Sequence, residues 1–216
     1  MNMKYSALIC AAGSGTRMKL GYNKVYAKLN DGQMIIDKTI NVFLNDIDCE
    51  EIIVVSDPDV FLEMHNGVID QRITLVQGGN TRQESVYHGL VKVKNSYVMI
   101  HDGARPFLNQ DLLDSIKNTL TTEDACLLMV PCKDTIKKVI DGYVETTYDR
   151  STLMAAQTPQ AFKTDLILSC TKKAMEENYT GTDDASLVEK YSDVKVKAVE
   201  GSYANIKITT IEDLRG

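Results

Sequence analysis

Short apolar runs alternate along this chain with stretches of helical periodicity, and this alternation restricts the fold more than any other feature. The runs rich in β-formers are YSALIC (5–10), EEIIVVS (50–56), ITLVQ (73–77), SYVMIH (96–101), ACLLMVP (125–131), VKVKAVE (194–200) and NIKITT (205–210). Helical patterning falls between them, in MIIDKTINVFLN (34–45), QESVYHGLVKV (83–93), NQDLLDSIKNTL (109–120), KTDLILSCTKKAMEEN (163–178) and DDASLVEKY (183–191). Continuous apolar runs such as IIVV and CLLMV are typical of strands buried on both faces of a parallel sheet. The sequence therefore predicts one α/β domain over residues 1–216, with a mostly parallel, Rossmann-like sheet flanked by helices.

One segment, TIKKVIDGYVETTY (135–148), departs from this pattern and predicts a β-hairpin. Its Asp141-Gly142 pair lies between β-formers, which is the strongest short-range hairpin signal. Pairing about this turn gives three opposed pairs, Val139 with Val144, Lys138 with Glu145, and Ile136 with Thr147. Because an isolated two-stranded hairpin is marginally stable in water, we expect this protruding arm, at about 133–152, to pack on another surface. A second copy of the chain is the favoured partner, giving a homodimer, and the chain's own domain is the alternative.

The composition is that of an ordinary soluble protein, with 44% hydrophobic and 25% charged residues. Apolar runs reach only five or six residues, which argues against a membrane-spanning helix and a membrane partner. The five cysteines are widely spaced and form no C-x-x-C, so neither a disulfide framework nor a structural zinc site is expected. The N-terminal apolar stretch leads into glycines and basic residues and is typical of a buried strand rather than a signal peptide. We therefore expect a cytoplasmic protein.

Charge is distributed unevenly along the chain. The net charge is −6, yet residues 1–30 carry no acidic side chain and five basic ones, Lys4, Arg17, Lys19, Lys24 and Lys28. The remaining residues hold all 30 acidic side chains against 19 basic ones, and an acidic body disfavours a nucleic-acid partner. The basic segment indicates either one local anionic ligand or an ordinary solvated face, and charge alone does not separate these two.

The segment ICAAGSGTRMKLGYNK (9–24) is a glycine loop that follows the first predicted strand. It is not a dinucleotide-binding fingerprint, because Met18 occupies the third glycine position and no acid follows for a ribose, which argues against an NAD-dependent oxidoreductase. It also lacks the P-loop spacing. Small residues let backbone amides approach a ligand closely, and they are Ala11, Ala12, Gly13 and Gly15. Since Arg17 can bind phosphate bidentately and Lys24 adds a mobile charge, the loop predicts a triphosphate site.

Six motifs in order extend this loop over almost the whole chain: AAGSGTRM with NK, GGNTRQESVYHGL (78–90), HDGARPF (101–107), DRSTLMAAQTPQAF (149–162), TDDASLVE (182–189) and NIKITTIEDL (205–214). Together they resemble the 2-C-methyl-D-erythritol 4-phosphate cytidylyltransferases, a family of nucleotidyltransferases that activate polyol phosphates. The resemblance implies a nucleotidyltransferase fold and transfer of a cytidylyl group from CTP to the polyol phosphate, with release of pyrophosphate. Ribitol-5-phosphate cytidylyltransferase is the nearest alternative, although CAAGSGTRM and DRSTLMAAQTPQ favour the erythritol enzyme. A protein that binds CTP without turnover is a further alternative.

The resemblance also implies a role for each matching residue. It makes four cations catalytic, Arg17, Lys24, Arg150 and Lys207. The resemblance assigns nucleotide binding to Ala11, Ala12, Gly13, Gly15, Gly79, Asn80, Ser85 and Ala104. It sets the polyol phosphate against Asp102, Thr135, Arg150, Thr158 and Thr182, with Thr135 and Arg150 reaching a neighbouring subunit's site from the arm. Asp102 would also hold Mg²⁺ or another divalent cation, which takes oxygen ligands.

Two further expectations concern residues outside these sets. Phosphoryl-group transfer depends on alignment and positive charge rather than on a protein nucleophile, so we expect His65, His88 and His101 to be structural. Asn23 stands where the family often has proline, which implies a looser loop around Lys24.

Overall fold

The protein was analysed as a computed structural model that describes residues 3–13, 22–210 and 212–214. Its strands are Tyr5–Cys10 (β1), Cys49–Ser56 (β2), Ile73–Gln77 (β3), Tyr97–Asp102 (β4), Ala125–Pro131 (β5), Lys137–Ile140 (β6), Tyr143–Thr147 (β7), Met154–Lys163 (β8) and Lys197–Glu200 (β9). Seven of them form one sheet in the order β3-β2-β1-β4-β8-β5-β9, in which only β8 runs antiparallel to its neighbours. The predicted α/β class with a mostly parallel sheet is therefore confirmed.

Six α-helices cover both faces of this sheet within the described residues: Ile35–Leu44 (α1), Pro58–Met64 (α2), Arg82–Leu90 (α3), Gln110–Leu120 (α4), Thr164–Glu176 (α5) and Asp184–Tyr191 (α6). Alternate residues of β2 pack into the cores on opposite faces of the sheet. Ile52 and Val54 lie in the core that α1, α2 and α4 form, and Ile53 and Val55 lie in the core that α3, α5 and α6 form. This explains why the IIVV run is apolar at every position. Each of these helices is too short or too polar to cross a membrane.

Strand β8, in the segment MAAQTPQAFK, was not predicted from its sequence. It pairs with β4 at one end and with β5 along most of its length. Between the pairs Leu127–Gln160 and Met129–Ala156 its register shifts, so the stretch that contains Pro159 lies outside the regular ladder. Because proline cannot donate to a ladder, a bulge is where a central strand tolerates it. Because Pro159 argues against a central strand, the sequence pattern did not indicate the strand that is present here.

The prediction of a strand at NIKITT (205–210) is wrong. These residues form an irregular segment after β9. The backbone groups of this segment bind loops rather than a neighbouring strand. Ile208 donates its N–H to the Ala104 carbonyl at 2.8 Å, and the N–H groups of Thr209 and Thr210 donate to the Asp213 carboxylate. The segment thus lies against the loop that follows β4.

The predicted hairpin exists as a two-stranded sheet of β6 and β7, separate from the main sheet. Its turn residues Asp141 and Gly142 have φ angles of 50° and 84°, the left-handed region that a two-residue hairpin turn requires. Val139 pairs with Val144 as predicted, and both side chains are exposed, at 55% and 61%. The two strands of the arm are paired through their backbones, but the arm's apolar side chains do not form a buried core.

A β-bulge at Glu145 changes the rest of the predicted register. Two predicted pairs are wrong, and the observed ones are Lys138 with Thr146 and Lys137 with Thr147. The Lys138 ammonium still lies 2.5 Å from the Glu145 carboxylate. A bulge adds one unpaired residue to one strand, which moves every later pair by one position.

Candidate active site

The main cleft lies beyond the carboxyl ends of β1, β3 and β4, where parallel sheets generally bind ligands. Its volume is about 490 Å³, and its lining residues are Cys10, Ala11, Ala12, Gly13, Asn23, Lys24, Val25, Gly79, Asn80, Thr81, Arg82, Ser85, Ala104 and Lys207. Nine of these were predicted as nucleotide-binding or catalytic residues, namely Ala11, Ala12, Gly13, Lys24, Gly79, Asn80, Ser85, Ala104 and Lys207. Four motifs far apart in the sequence therefore meet at one site.

The wall of the cleft is built by backbone bonds between the ends of neighbouring strands. Ala11 donates its N–H to the Val55 carbonyl at 2.8 Å, and Gly103 donates to the Cys10 carbonyl at 2.9 Å. Gly78 follows β3, and a Cβ atom at this position would collide with the Ala12 side chain. Only glycine lets the loop after β3 approach the glycine loop so closely. The two predicted nucleotide segments are held side by side in this way.

The predicted nucleotide segment, residues 79–85, is ordered by the N-terminus of α3. Thr81 caps the helix by accepting from the Glu84 N–H at 3.0 Å. The Ser85 hydroxyl accepts from the Gly79 N–H and donates to the Thr81 carbonyl. Ser85 is buried and shapes the loop, whereas Asn80 is exposed toward the cleft mouth.

Lys24 also lines the cleft and lies in a short 3-10 turn, Lys24–Tyr26. Its ammonium donates to the Ile208 carbonyl at 2.6 Å, which links this turn to the segment that carries Lys207. Asn23 caps the turn by accepting from the Val25 N–H, and its amide donates to the Ala11 carbonyl at 2.5 Å. These two bonds oppose the loosening expected from the absence of proline at position 23.

Asp102, the last residue of β4, is a buried carboxylate among three cations. Its oxygens lie 2.8 Å from the Lys207 ammonium, 3.5 Å from the Arg82 Nε and 3.6 Å from the Arg105 Nε. Burial by itself disfavours the charged form, but the positive charges of Arg82, Lys207 and Arg105 outweigh it and hold the pKa of Asp102 far below its ordinary value. Asp102 is therefore ionised wherever the protein is folded at neutral pH.

The Thr158 side chain forms a hydrogen bond with the backbone of Asp102. Its hydroxyl accepts from the Asp102 N–H at 3.1 Å and lies 2.9 Å from the Nδ1 of His101, whose Nε2 lies 3.2 Å from the Arg105 carbonyl. Burial lowers the pKa of His101 to about 4, so the ring is neutral and accepts at Nδ1 while donating at Nε2. His101 thus has a structural role, and the Thr158 hydroxyl is engaged within the wall.

The other two histidines also make contacts within the fold. His65 stacks on Phe61 and lies 2.7 Å from the Asp37 carboxylate, and the Nδ1 of His88 lies 3.0 Å from the Gln77 carbonyl. All five cysteines are free thiols. Within residues 3–13, 22–210 and 212–214, His, Cys, Asp and Glu side chains form no group of three or more that could hold a metal ion.

The remaining predicted residues lie away from this cleft or outside the described residues. Thr135, Arg150 and Thr182 are exposed, and the Arg150 guanidinium donates to the Lys133 carbonyl of its own arm at 2.7 Å. Gly15 and Arg17 lie outside the described residues. The placement of Thr135 and Arg150 in a neighbour's site remains a prediction.

Arg82 and Asp184 are site residues that sequence reasoning did not identify. The Arg82 guanidinium donates to both oxygens of Asp184, at 3.0 and 2.7 Å, across a separation of 102 residues. Arg82 lies in the motif GGNTRQESV and Asp184 in the motif TDDASLVE. An arginine and an acid in two separate site motifs could have suggested an ion pair. Their partnership depends on how α3 and α6 pack, which the motifs do not state.

A mostly parallel sheet with the glycine loop after β1 and a carboxylate among three cations at the end of β4 fits a nucleotidyltransferase. A family model described as IspD, 2-C-methyl-D-erythritol 4-phosphate cytidylyltransferase, matches residues 5–216. The chain belongs to this family.

Individual relatives agree with this assignment. The chain is 44% identical to the 2-C-methyl-D-erythritol 4-phosphate cytidylyltransferase of Bacillus velezensis over 98% of this chain and 93% of that protein. It is 44% identical to the same-named protein of Clostridioides difficile over 97% of this chain and 90% of that protein. A crystal structure of 4-diphosphocytidyl-2C-methyl-D-erythritol synthase from Anaerococcus prevotii matches with a TM-score of 0.85 at 34% identity, covering 100% of this chain and 96% of that one. The predicted fold and enzyme class are thereby confirmed.

Proposed function

We propose that this enzyme transfers the cytidylyl group of CTP to 2-C-methyl-D-erythritol 4-phosphate and releases pyrophosphate. A phosphate oxygen of the polyol phosphate attacks the α-phosphorus of CTP, and the bond from that phosphorus to the pyrophosphate oxygen breaks. The observation that carries the proposal is the position of Lys207, which lines the cleft together with the glycine loop and residues of the 79–85 segment and lies 2.8 Å from the buried Asp102.

The protein's own residues supply alignment and charge in this reaction. Two anions repel each other before they react, and positive charge must be greatest where the transition state is most negative. Lys24 and Lys207 both line the cleft, together with Ala11, Ala12 and Gly13 after β1. In this proposal Arg17 joins them as a transition-state stabiliser. No protein nucleophile is needed because the phosphate monoester is already one.

Magnesium fits this site as an ion shared with the nucleotide. Mg²⁺ is commonly bound in enzymes through one or two carboxylates together with substrate phosphates. Asp102 provides one ionised carboxylate beside the nucleotide segments, with its backbone fixed by Thr158. When bound, the ion would neutralise phosphate charge and withdraw electrons from the α-phosphorus. We propose Asp102 as its protein ligand.

The polyol phosphate would meet Asp102, Thr182 and the wall that Thr158 supports, with Thr135 and Arg150 contributed by a second copy. Support for a second copy comes from the arm, which exposes large apolar side chains: Ile136, Val139, Ile140, Tyr143, Val144 and Tyr148. A run of this kind on a two-stranded sheet favours burial against another surface. We therefore propose a homodimer through the arm. The cytoplasm, where free thiols stay reduced, is the proposed compartment.

The test is pyrophosphate release by the purified protein with CTP and Mg²⁺, comparing 2-C-methyl-D-erythritol 4-phosphate with ribitol 5-phosphate. Release with the erythritol substrate only, and the nucleotide-linked polyol as the second product, is the expected result. Release with ribitol 5-phosphate only would replace the substrate and keep the reaction type. Binding of CTP without release from either substrate would overturn the proposed reaction.

A further inference from the structure

Arg82 connects two parts of the site that belong to different substrates. It is the first residue of α3, directly after the nucleotide segment, and Asp184 is the first residue of α6, two positions after Thr182. The Arg82 guanidinium donates to Asp184 through two parallel bonds of 3.0 and 2.7 Å. Its Nε lies 3.5 Å from the nearer oxygen of Asp102. One side chain therefore links the start of α3 to a carboxylate of α6 and to a carboxylate of β4.

The next residue, Gln83, strengthens the same connection. Its side-chain amide donates to the Tyr179 carbonyl at 2.9 Å, and its side-chain oxygen accepts from the Gly181 N–H at 3.0 Å. Residues 179–184 are thus held by the first two residues of α3. Since Thr182 lies within this held segment, its position follows that of α3.

Asp184 is buried and forms an ion pair with Arg82. The Asp184 side chain is only 3% exposed, and a buried carboxylate is costly unless it is paired with good geometry. The planar guanidinium matches both carboxylate oxygens at once, which a lysine ammonium cannot do. Arg82 also lines the cleft, whereas Asp184 does not. The pair is a rigid link from the cleft to the segment behind it.

We propose that Arg82 is a positioning residue that couples nucleotide binding to binding of the polyol phosphate, an inference that rests on the proposed function. A nucleotide bound against residues 79–85 also fixes the position of the start of α3, the element that carries Arg82. The positions of Asp184 and Asp102 follow through Arg82, so the polyol phosphate meets a site whose geometry the nucleotide has already set. The second ligand therefore binds more tightly than it would without the first.

This coupling is measurable because it is reciprocal. If a nucleotide raises the affinity for the polyol phosphate by some factor, the polyol phosphate raises the affinity for the nucleotide by the same factor. Calorimetry with 2-C-methyl-D-erythritol 4-phosphate, with and without a CTP analogue whose α–β bridge is a methylene group, gives this factor without turnover. We expect at least about fivefold for the wild-type protein with Mg²⁺ present.

Two variants test the role of the pair. Asp184→Asn removes the charge behind the cleft, and Arg82→Lys keeps the charge but loses the parallel bonds. Both are expected to reduce the coupling factor to near one and to raise the KM of the polyol phosphate more than they lower kcat. The double variant should lose no more than either single variant, because both changes break one link. Arg72→Lys is the matched control, since Arg72 precedes β3 and donates to the Leu44 carbonyl at the amino ends of the strands, away from the cleft at their carboxyl ends.

The outcomes separate this inference from the proposed function. A wild-type protein that forms product but shows no coupling, or variants that retain the full factor, would overturn the role of Arg82 alone. Equal loss of affinity for both ligands with the factor unchanged would make the pair merely structural. If Asp184→Asn does not fold, Arg82→Lys decides the question by itself. Absence of product from the wild-type protein would reject the function instead, whatever the coupling.

Discussion

At the scale of single residues, two lysine–aspartate pairs show that distance does not identify a functional contact. Lys207 lies 2.8 Å from Asp102, and Lys163 lies 2.8 Å from Asp124. The Asp124 side chain is 45% exposed, so water screens that pair, whereas the Asp102 side chain is 10% exposed and also faces two arginines. The difference lies in the surroundings, since Asp102 is buried and shared by three cations whereas Asp124 is exposed.

Lys207→Gln is therefore expected to lower kcat by about 10²–10³, the usual cost of losing one positioned charge at a transition state. The dissociation constant of CTP should change much less, since other groups of the cleft also hold the nucleotide. Steady-state kinetics and calorimetry with CTP measure the two quantities. Lys163→Gln, which removes the pair of equal length, should leave both unchanged. An increase in KM with kcat intact would instead make Lys207 a ground-state binding residue.

The predicted residues that line the cleft include several whose position is set locally. Ala11, Ala12 and Gly13 follow a strand that hydrophobicity identifies, so their place at the carboxyl edge could be predicted. The pair of Arg82 and Asp184 could not be, because its two members are 102 residues apart and each also suits an ordinary helix start. A side chain's distant partner is decided by packing, about which a single sequence says little.

At the scale of secondary-structure elements, a buried ion cluster joins β1, the α1–β2 connection and α4. The Lys117 ammonium of α4 lies 2.9 Å from Asp46 and 3.1 Å from Asp48. Asp46 also accepts from the Tyr5 hydroxyl of β1 at 3.0 Å and from the Asp48 N–H at 3.0 Å. These bonds satisfy a carboxylate whose side chain is only 2% exposed. The cluster lies at the amino edge of the sheet, opposite the cleft.

Asp46→Asn should destabilise the fold by about 1–3 kcal/mol at pH 7, the range for hydrogen bonds to charged groups. Burial opposes ionisation of Asp46, but the Asp48 N–H, Lys117 and Tyr5 outweigh it and lower the pKa below the ordinary value of 3.8. A lowered folded-state pKa contributes stability above pH 3.8 that is lost as the pH falls below it. Urea unfolding at several pH values should therefore show the two proteins converging in acid. A constant difference down to pH 2 would contradict the assignment.

Prediction of elements succeeded where periodicity is strong and failed where local signals conflict. The doubly buried strands and the hairpin turn follow from apolar runs and from Asp141-Gly142. Helix α2 was missed although Asp57 and Pro58 form an ordinary helix start, because it is short. NIKITT alternates like a strand, yet strand formation needs a neighbour to pair with, and sequence alternation does not supply one.

At the scale of the whole molecule, the arm is the part that the chain's own fold leaves unexplained. The main sheet is covered by helices on both faces, whereas the arm exposes Tyr143 at 81% and Val144 at 61%. Thr135 and Arg150, two of the five residues that the family resemblance assigns to the polyol phosphate, lie at the base of this arm. Neither lines the cleft among its described residues. A second copy that receives the arm would complete the site and cover the apolar surface at the same time.

Mixing two inactive variants tests this arrangement. Arg150→Ala removes the residue proposed to cross the interface, and Lys24→Ala removes one that lines the chain's own cleft. In a mixed dimer one site then receives Lys24 from one copy and Arg150 from the other. Random re-association at equal amounts should restore about a quarter of the wild-type activity, because half of the dimers are mixed and each has one intact site.

The matched control mixes Lys24→Ala with Lys207→Ala, two changes on the same chain's cleft. No mixed dimer of these variants contains an intact site, so its activity should stay at the level of the separate variants. Subunit exchange is followed by mass measurement of differently tagged copies, which makes a negative result interpretable. If Arg150→Ala and Lys24→Ala chains form mixed dimers that remain inactive, Arg150 serves its own chain, and the arm's apolar surface has a purely structural use.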